Sequence, residues 1–180
     1  DYEAKLMREG GKIAALALKK ALEASKEGIS GIDIDKIATD TIYKKGGDLS
    51  YKTVPGYKYA TCITVNEQVV HGIPTPRKLK KGDVVSIDLA VEHKGWHTDT
   101  AWTVLVGKNP DKEKFLNTGQ EALHLAIKQA IEGNRVGDIS HAIQNKVEGE
   151  GYSVVRSLVG HGVGKSLHED PEVPGYGKAN

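Results

Sequence analysis

Apolar residues recur at helical spacing from about Glu3 to Glu27, at Leu6, Ile13, Ala14, Ala17, Leu18, Ala21 and Leu22, and Gly28 stops the run. A second helix follows, with Asp33 as its cap, Ile34, Ile37, Ala38, Thr41 and Ile42 as its stripe and Gly46-Gly47 as its end. The period then changes. A short strand is expected near Leu49 to Thr53, a loop through Pro55-Gly56-Tyr57, and a strand from Tyr59 to Asn66. After the segment Val69 to Pro74 come two longer strands, Val84 to Val91 and Trp96 to Val106, rich in β-branched and aromatic residues. Beyond Gly107 helical spacing returns, from about Lys112 to Glu132, closed by Gly133. Asp138 heads one more helix through Ala142, Ile143 and Val147, and Tyr152 to Arg156 is strand-like.

This order of elements repeats. A shift of 105 residues places Glu27-Gly28 on Glu132-Gly133, Asp33-Ile34 on Asp138-Ile139, Ile42 on Val147 and Gly46 on Gly151. The pattern predicts an internal duplication of a helix-helix-strands unit within a single domain of residues 1–180, with halves at about 1–106 and 107–180. The counterpart of the strands Val84 to Val106 would lie beyond Asn180, so the second half is expected to be incomplete.

The two longer strands join across Glu92-His93-Lys94-Gly95 as a β-hairpin. With the fold-back centred between His93 and Lys94, Asp88 falls opposite Asp99. Both interrupt segments that otherwise favour burial, and like charges placed face to face on a sheet are destabilising unless something positive sits between them. Carboxylate oxygens ligate hard or borderline divalent cations, which makes the pair a candidate metal site.

Composition changes the picture little. With 38% hydrophobic and 27% charged residues the chain can bury a core unaided, and a net charge of +1 gives no field suited to nucleic acid. The basic run Arg77-Lys78-Leu79-Lys80-Lys81 is short enough to be a solvated turn. One cysteine, Cys62, forms no internal disulfide and suits a reducing, cytoplasmic setting, and no apolar run reaches membrane-spanning length.

Histidines beside glycine stand out: His71 in His-Gly-Ile-Pro, His161 between Gly160 and Gly162, with His168 close behind, whereas His93, His97, His124 and His141 read as surface or helix residues. The segment Gly160 to Ser166 ends Gly-Lys-Ser but lacks the glycine spacing of a phosphate-binding loop, and no helix pattern follows it. Cys62 sits in an alternating strand with no base indicated, so pocket lining or core suits it better than nucleophilic attack.

Taken together, Tyr57 to Glu67, His71-Gly72-Ile73-Pro74, Gly82 to Asp88, His97-Thr98-Asp99-Thr100 and Gly160 to Gly164 resemble the type I methionine aminopeptidases. The resemblance implies the α+β "pita-bread" fold, a pseudo-two-fold arrangement of antiparallel sheet covered by helices. It implies metal-dependent removal of N-terminal methionine from peptides and nascent chains by a cytoplasmic monomer, with proximity to the ribosome and no membrane or nucleic-acid partner. Two divalent ions are implied, of cobalt, manganese, iron or zinc, with Asp88, Asp99 and His161 as ligands. The family completes its site with two glutamates from later strands, which are expected beyond Asn180. The 180 residues alone are therefore expected to bind metal weakly and to show little activity. His71 and His168 match the catalytic histidines that contact substrate, and Tyr57, Cys62 and Leu167 match the lining of the methionine pocket. Two alternatives remain open: a pita-bread module that binds peptide or protein without catalysis, and a hydrolase of the aminopeptidase P or prolidase kind.

Overall fold

The computed structural model describes residues 2–179, which form two compact units. One takes in the chain up to Asn109 together with Val163–Leu167; the other takes in Pro110–Gly162 and the chain from His168 onward.

The first unit opens with α1 (Tyr2–Ala24), whose buried face is Leu6, Gly10, Ile13, Ala14, Ala17, Leu18 and Ala21, the stripe expected from its spacing. Helix α2 (Gly31–Lys44) is capped by Ser30 rather than by Asp33. Asp33 sits at the third helical position and completes a capping box, taking the Ser30 backbone N–H at 3.1 Å while its own N–H donates to Ser30 Oγ. The expected strand Leu49 to Thr53 is mostly a turn: β1 is only Asp48–Leu49 and a 3-10 turn occupies Ser50–Thr53. Strand β2 runs Thr61–Val65, β3 Val84–His93 and β4 Trp96–Leu105. All are antiparallel around β3, which pairs with β1 and β2 along one edge and with β4 along the other.

Alternation along β3 divides the sheet. Val85, Ile87, Leu89 and Val91 are fully buried in one apolar core with Ile13, Ala17, Leu18, Ile34, Ala38 and Ile42 of the helices. Ser86, Asp88 and Ala90 point to the opposite face.

The hairpin register differs from the expected one. His93 pairs with Trp96 and Asp88 pairs with Ala101, while Asp99 lies opposite Ala90. The turn is the two residues Lys94-Gly95, both with positive φ (54° and 83°), the pattern of a tight hairpin turn whose twist matches the strands. Moving the fold-back by one residue moves each pairing by two, so Asp88 and Asp99 stay on one face as diagonal neighbours.

The second unit repeats the helix pair. Helix α3 spans Pro110–Gln129 and α4 spans Val136–Gly149, 105 residues after α2 at both ends. Thr118, Ala122, Ala126 and Ser140 are its buried positions. The strand-like Tyr152 to Arg156 forms no strand; Tyr152 instead packs its ring edge-on to Phe115 at 5.2 Å. Two strands that propensity did not announce, β5 (Val159–Gly162) and β6 (Glu169–Pro174), pair with each other. Among the described residues no helix is long and apolar enough to cross a membrane.

Candidate metal and substrate site

The second face of the sheet carries the candidate chemistry. Cys62 on β2 is the cross-strand partner of Asp88, and Asp99 on β4 is that of Ala90, so thiol, carboxylates and a small apolar side chain share one patch. Both aspartates are half-buried. Burial, followed by the Asp88 charge and a hydrogen bond shared with Asp88, raises the Asp99 pKa to about 7. Two carboxylates this close in a partly desolvated place do not both ionise without cost. A divalent cation removes that cost, and an all-oxygen pair is the donor chemistry such ions accept, so the residues present fit the expected metal.

Beside the carboxylates lies a small apolar cluster of Tyr51, Cys62, Ala90 and Leu167, with Tyr57 packed against it. Three of these, Tyr57, Cys62 and Leu167, are the residues that the sequence resemblance implied for a substrate pocket. Tyr57 Oη donates to the Thr61 carbonyl at 2.7 Å and lies 3.4 Å from Cys62 Sγ. Burial, the largest influence on the thiol, raises the Cys62 pKa, which disfavours the thiolate that nucleophilic attack requires.

Three supports of this patch gave no signal in the sequence. Asp35, buried on α2, accepts at one oxygen from the N–H groups of Ala60 and Thr61 and from Thr61 Oγ1 at 2.7–2.9 Å, which fixes the start of β2. Burial raises its pKa despite those donors. Ser50 Oγ lies 2.7 Å from His97 Nδ1, and the His97 N–H donates to the Gly164 carbonyl at 2.7 Å, holding the segment that delivers Leu167. Tyr51 follows Ser50 in the 3-10 turn. His97 and His93 are thus buried and hydrogen-bonded, not surface residues; His93 bridges the Gly46 carbonyl and Glu9. Only the alternation of Trp96-His97-Thr98-Asp99 could have marked His97 as inward-facing.

His71 is exposed on the loop after β2, with φ at 56°. The carbonyl of the next residue, Gly72, accepts from the Ile63 N–H at 2.7 Å, and a Cβ at Gly72 would lie 2.2 Å from the Ile63 carbonyl oxygen, so only glycine lets the loop close on the strand there. In the second unit, the rings of His161 and His168 meet with centroids 4.4 Å apart and planes tilted by 50°. His161 Nδ1 donates to the Gly162 carbonyl at 2.9 Å, which in the neutral ring places the lone pair on Nε2. Among the described residues no three His, Cys, Asp or Glu side chains gather into one metal-holding cluster, so the carboxylate pair carries the geometric case for the metal. A cleft of about 390 Å³ between α3 and α4 is lined by charges already paired, Lys146 with Glu121 and Glu150, and offers no such chemistry.

Residues 5–180 match the metallopeptidase family M24. The chain is 46% identical to methionine aminopeptidase 1 of Bacillus subtilis over 97% of its length and 71% of that protein. It is 44% identical to a methionine aminopeptidase of Clostridium perfringens, covering 72% of it. A crystal structure of methionine aminopeptidase from Thermotoga maritima superposes with a TM-score of 0.96 at 39% identity, over 99% of this chain and 72% of that one. A prolidase from Pyrococcus furiosus superposes at 0.84 with 22% identity, covering 52% of that chain, and so shares the fold.

Proposed function

Since the chain belongs to the metallopeptidase family M24 and is of the methionine aminopeptidase type with the pita-bread α+β fold, we propose that it removes N-terminal methionine from peptides and nascent proteins with the help of divalent metal. The observation that carries this reading is the diagonal Asp88–Asp99 pair on the same sheet face as the apolar cluster of Tyr51, Cys62, Ala90 and Leu167. Asp88 and Asp99 would hold the metal, with His161 as the imidazole ligand, through Nε2. When bound, the metal supplies a Lewis acid for the scissile carbonyl and lowers the pKa of water toward neutrality.

The chain's own residues do the rest. Tyr57, Cys62 and Leu167 hold the unbranched methionine side chain against Ala90, a contact worth roughly 2 kcal/mol for a buried side chain of that size. The Cys62 thiol stays protonated and adds a polarizable surface suited to a thioether. His71 and His168 are proposed as the groups that contact the substrate backbone and donate to the oxygen on which charge develops. The free, buried Cys62 supports a cytoplasmic setting.

In manganese or cobalt the protein should release methionine from Met-Ala-Ser, only weakly when the 180 residues are taken alone, and Asp99→Asn should abolish the release while the fold persists. Hydrolysis of Xaa-Pro dipeptides in preference to Met-Ala-Ser would overturn the assignment in favour of a prolidase-like activity. The prolidase likeness, at 22% identity, is a likeness of fold and does not favour that outcome.

A further inference from the structure

We propose that Asp35 is a positioning residue for the substrate cluster: from helix α2 it holds the chain ahead of β2 so that Tyr57 and Cys62 meet as one wall. The inference rests on the reading above of Tyr57 and Cys62 as lining for the methionine side chain.

The joint is a relay of hydrogen bonds. One carboxylate oxygen of Asp35 accepts from the Ala60 N–H at 2.9 Å, from the Thr61 N–H at 2.9 Å and from Thr61 Oγ1 at 2.7 Å. The Thr61 carbonyl in turn accepts from Tyr57 Oη at 2.7 Å, and Cys62, the next residue along, places Sγ 3.4 Å from that same hydroxyl. Asp35 is itself held, because Ile34 and Ala38 on either side of it in α2 are fully buried in the core. A wall hung from a rigid element keeps its shape when a ligand enters.

Registering β2 is not what this carboxylate adds. The backbone pairs from Thr61–Leu89 to Val65–Val85 already fix the strand on β3, and the Gly72 carbonyl takes the Ile63 N–H. The chain ahead of Thr61 lies outside that ladder, and Asp35 accepts from its last N–H, that of Ala60. That stretch carries Tyr57, whose ring otherwise rests edge-on against Tyr51 and Tyr59 with centroids 5.6 and 5.8 Å away. Edge contacts tolerate a range of ring positions, whereas hydrogen bonds are directional and fix where Tyr57 stands beside Cys62. Without Asp35, two N–H groups and a hydroxyl lose their acceptor in a buried place, and the wall opens at the Tyr57–Cys62 contact.

Cys62 is the chain's one cysteine and is buried, so its rate of alkylation by iodoacetamide reads the opening of this wall at a single site. With manganese present, excess L-methionine should slow the alkylation of the unaltered protein. Asp35→Ala should speed alkylation by about tenfold, the change in open population that loss of such a bond brings, and should weaken the protection by methionine. Ser30→Ala, which loosens the start of the same helix, should leave the rate unchanged. If Asp35→Ala is alkylated and protected like the unaltered protein, or if Ser30→Ala is alkylated as fast as Asp35→Ala, the positioning role falls and the pocket reading stands. If Asp35→Ala does not fold, Thr61→Val, which removes one of the three donors and leaves α2 intact, takes its place, with faster alkylation expected and an unchanged rate overturning the role. If methionine gives the unaltered protein no protection, the pocket reading falls and takes this inference with it.

Discussion

At the scale of single residues, Asp99 carries opposite obligations in the metal-free and metal-bound protein. Its folded pKa is raised above that of an unfolded carboxyl, so the folded state holds the extra proton and Asp99 costs stability once the pH passes from about 4 toward 7. In chelator at pH 8, Asp99→Asn should therefore melt higher than the unaltered chain, by about 2–4 °C for each kcal/mol of repulsion relieved. With manganese added the order should reverse, because only the unaltered chain gains from binding. A melting series with and without metal checks both halves. Asp88 and Asp99 were legible in the sequence because carboxylates interrupt apolar strands. Tyr51, Asp35 and Ser50 were not, since a buried polar residue in a turn or helix leaves no periodic trace until its partner is known.

At the scale of elements, the sequence located the hairpin and misplaced its centre by one residue. The strands were marked by β-branched and aromatic residues, but the register belongs to the turn, and Lys94-Gly95 is the only pair there that takes two positive φ values with a glycine second. Lys94 holds that conformation against its preference. Lys94→Asn should stabilise the hairpin by about 0.5 kcal/mol, read as a raised urea midpoint, since asparagine tolerates the left-handed region better and the exposed Lys94–Glu9 pair it removes is worth little. Gly72→Ala should do the reverse. Its Cβ would meet the Ile63 carbonyl, so the loop must lift from β2, with a loss of about 2 kcal/mol and displacement of His71. Full stability of Gly72→Ala in urea would contradict the loop closure described.

The turn that leads into β3 makes a separate statement about pH. Asp83 is buried and accepts from both Arg77 nitrogens, from Lys80 N–H and from Asn66 Nδ2, and the Arg77 hydrogen bonds, ahead of the other influences, lower its pKa to about 2. A depressed carboxyl contributes stability above its unfolded value, near 4, and loses it as the pH falls toward 2. Arg77→Met should thus be less stable than the unaltered chain by about 1–2 kcal/mol at pH 7, with the gap closing between pH 4 and pH 2. A constant gap across that range would assign the loss to packing.

At the scale of the whole molecule, the duplication read from the sequence is carried by the helix pairs rather than by the strands. The 105-residue spacing relates α2 to α4 end to end, and Asp33 to Asp138 at the same helical position. Strands of the second half were less legible because Val159–Gly162 is half glycine and Glu169–Pro174 is charged and proline-bearing, composition that propensity assigns to loops. The two helix starts are nevertheless not equal. At α2 the box is reciprocal: Ser30 Oγ accepts from the Asp33 N–H, and Asp33 accepts from the Ser30 N–H. At α4 the Asp138 carboxylate accepts from the Arg135 N–H at 2.8 Å, but a guanidinium has no lone pair, so the Asp138 N–H donates at 3.0 Å to the Arg135 carbonyl instead of to a side chain. Ser30→Ala should therefore destabilise the start of α2 by about 0.5–1 kcal/mol, seen as faster hydrogen exchange of its first-turn amides, whereas Arg135→Ala, which keeps both backbone groups, should leave the first-turn amides of α4 unchanged. Equal acceleration in the two variants would mean that the Arg135 side chain holds its helix start as Ser30 does.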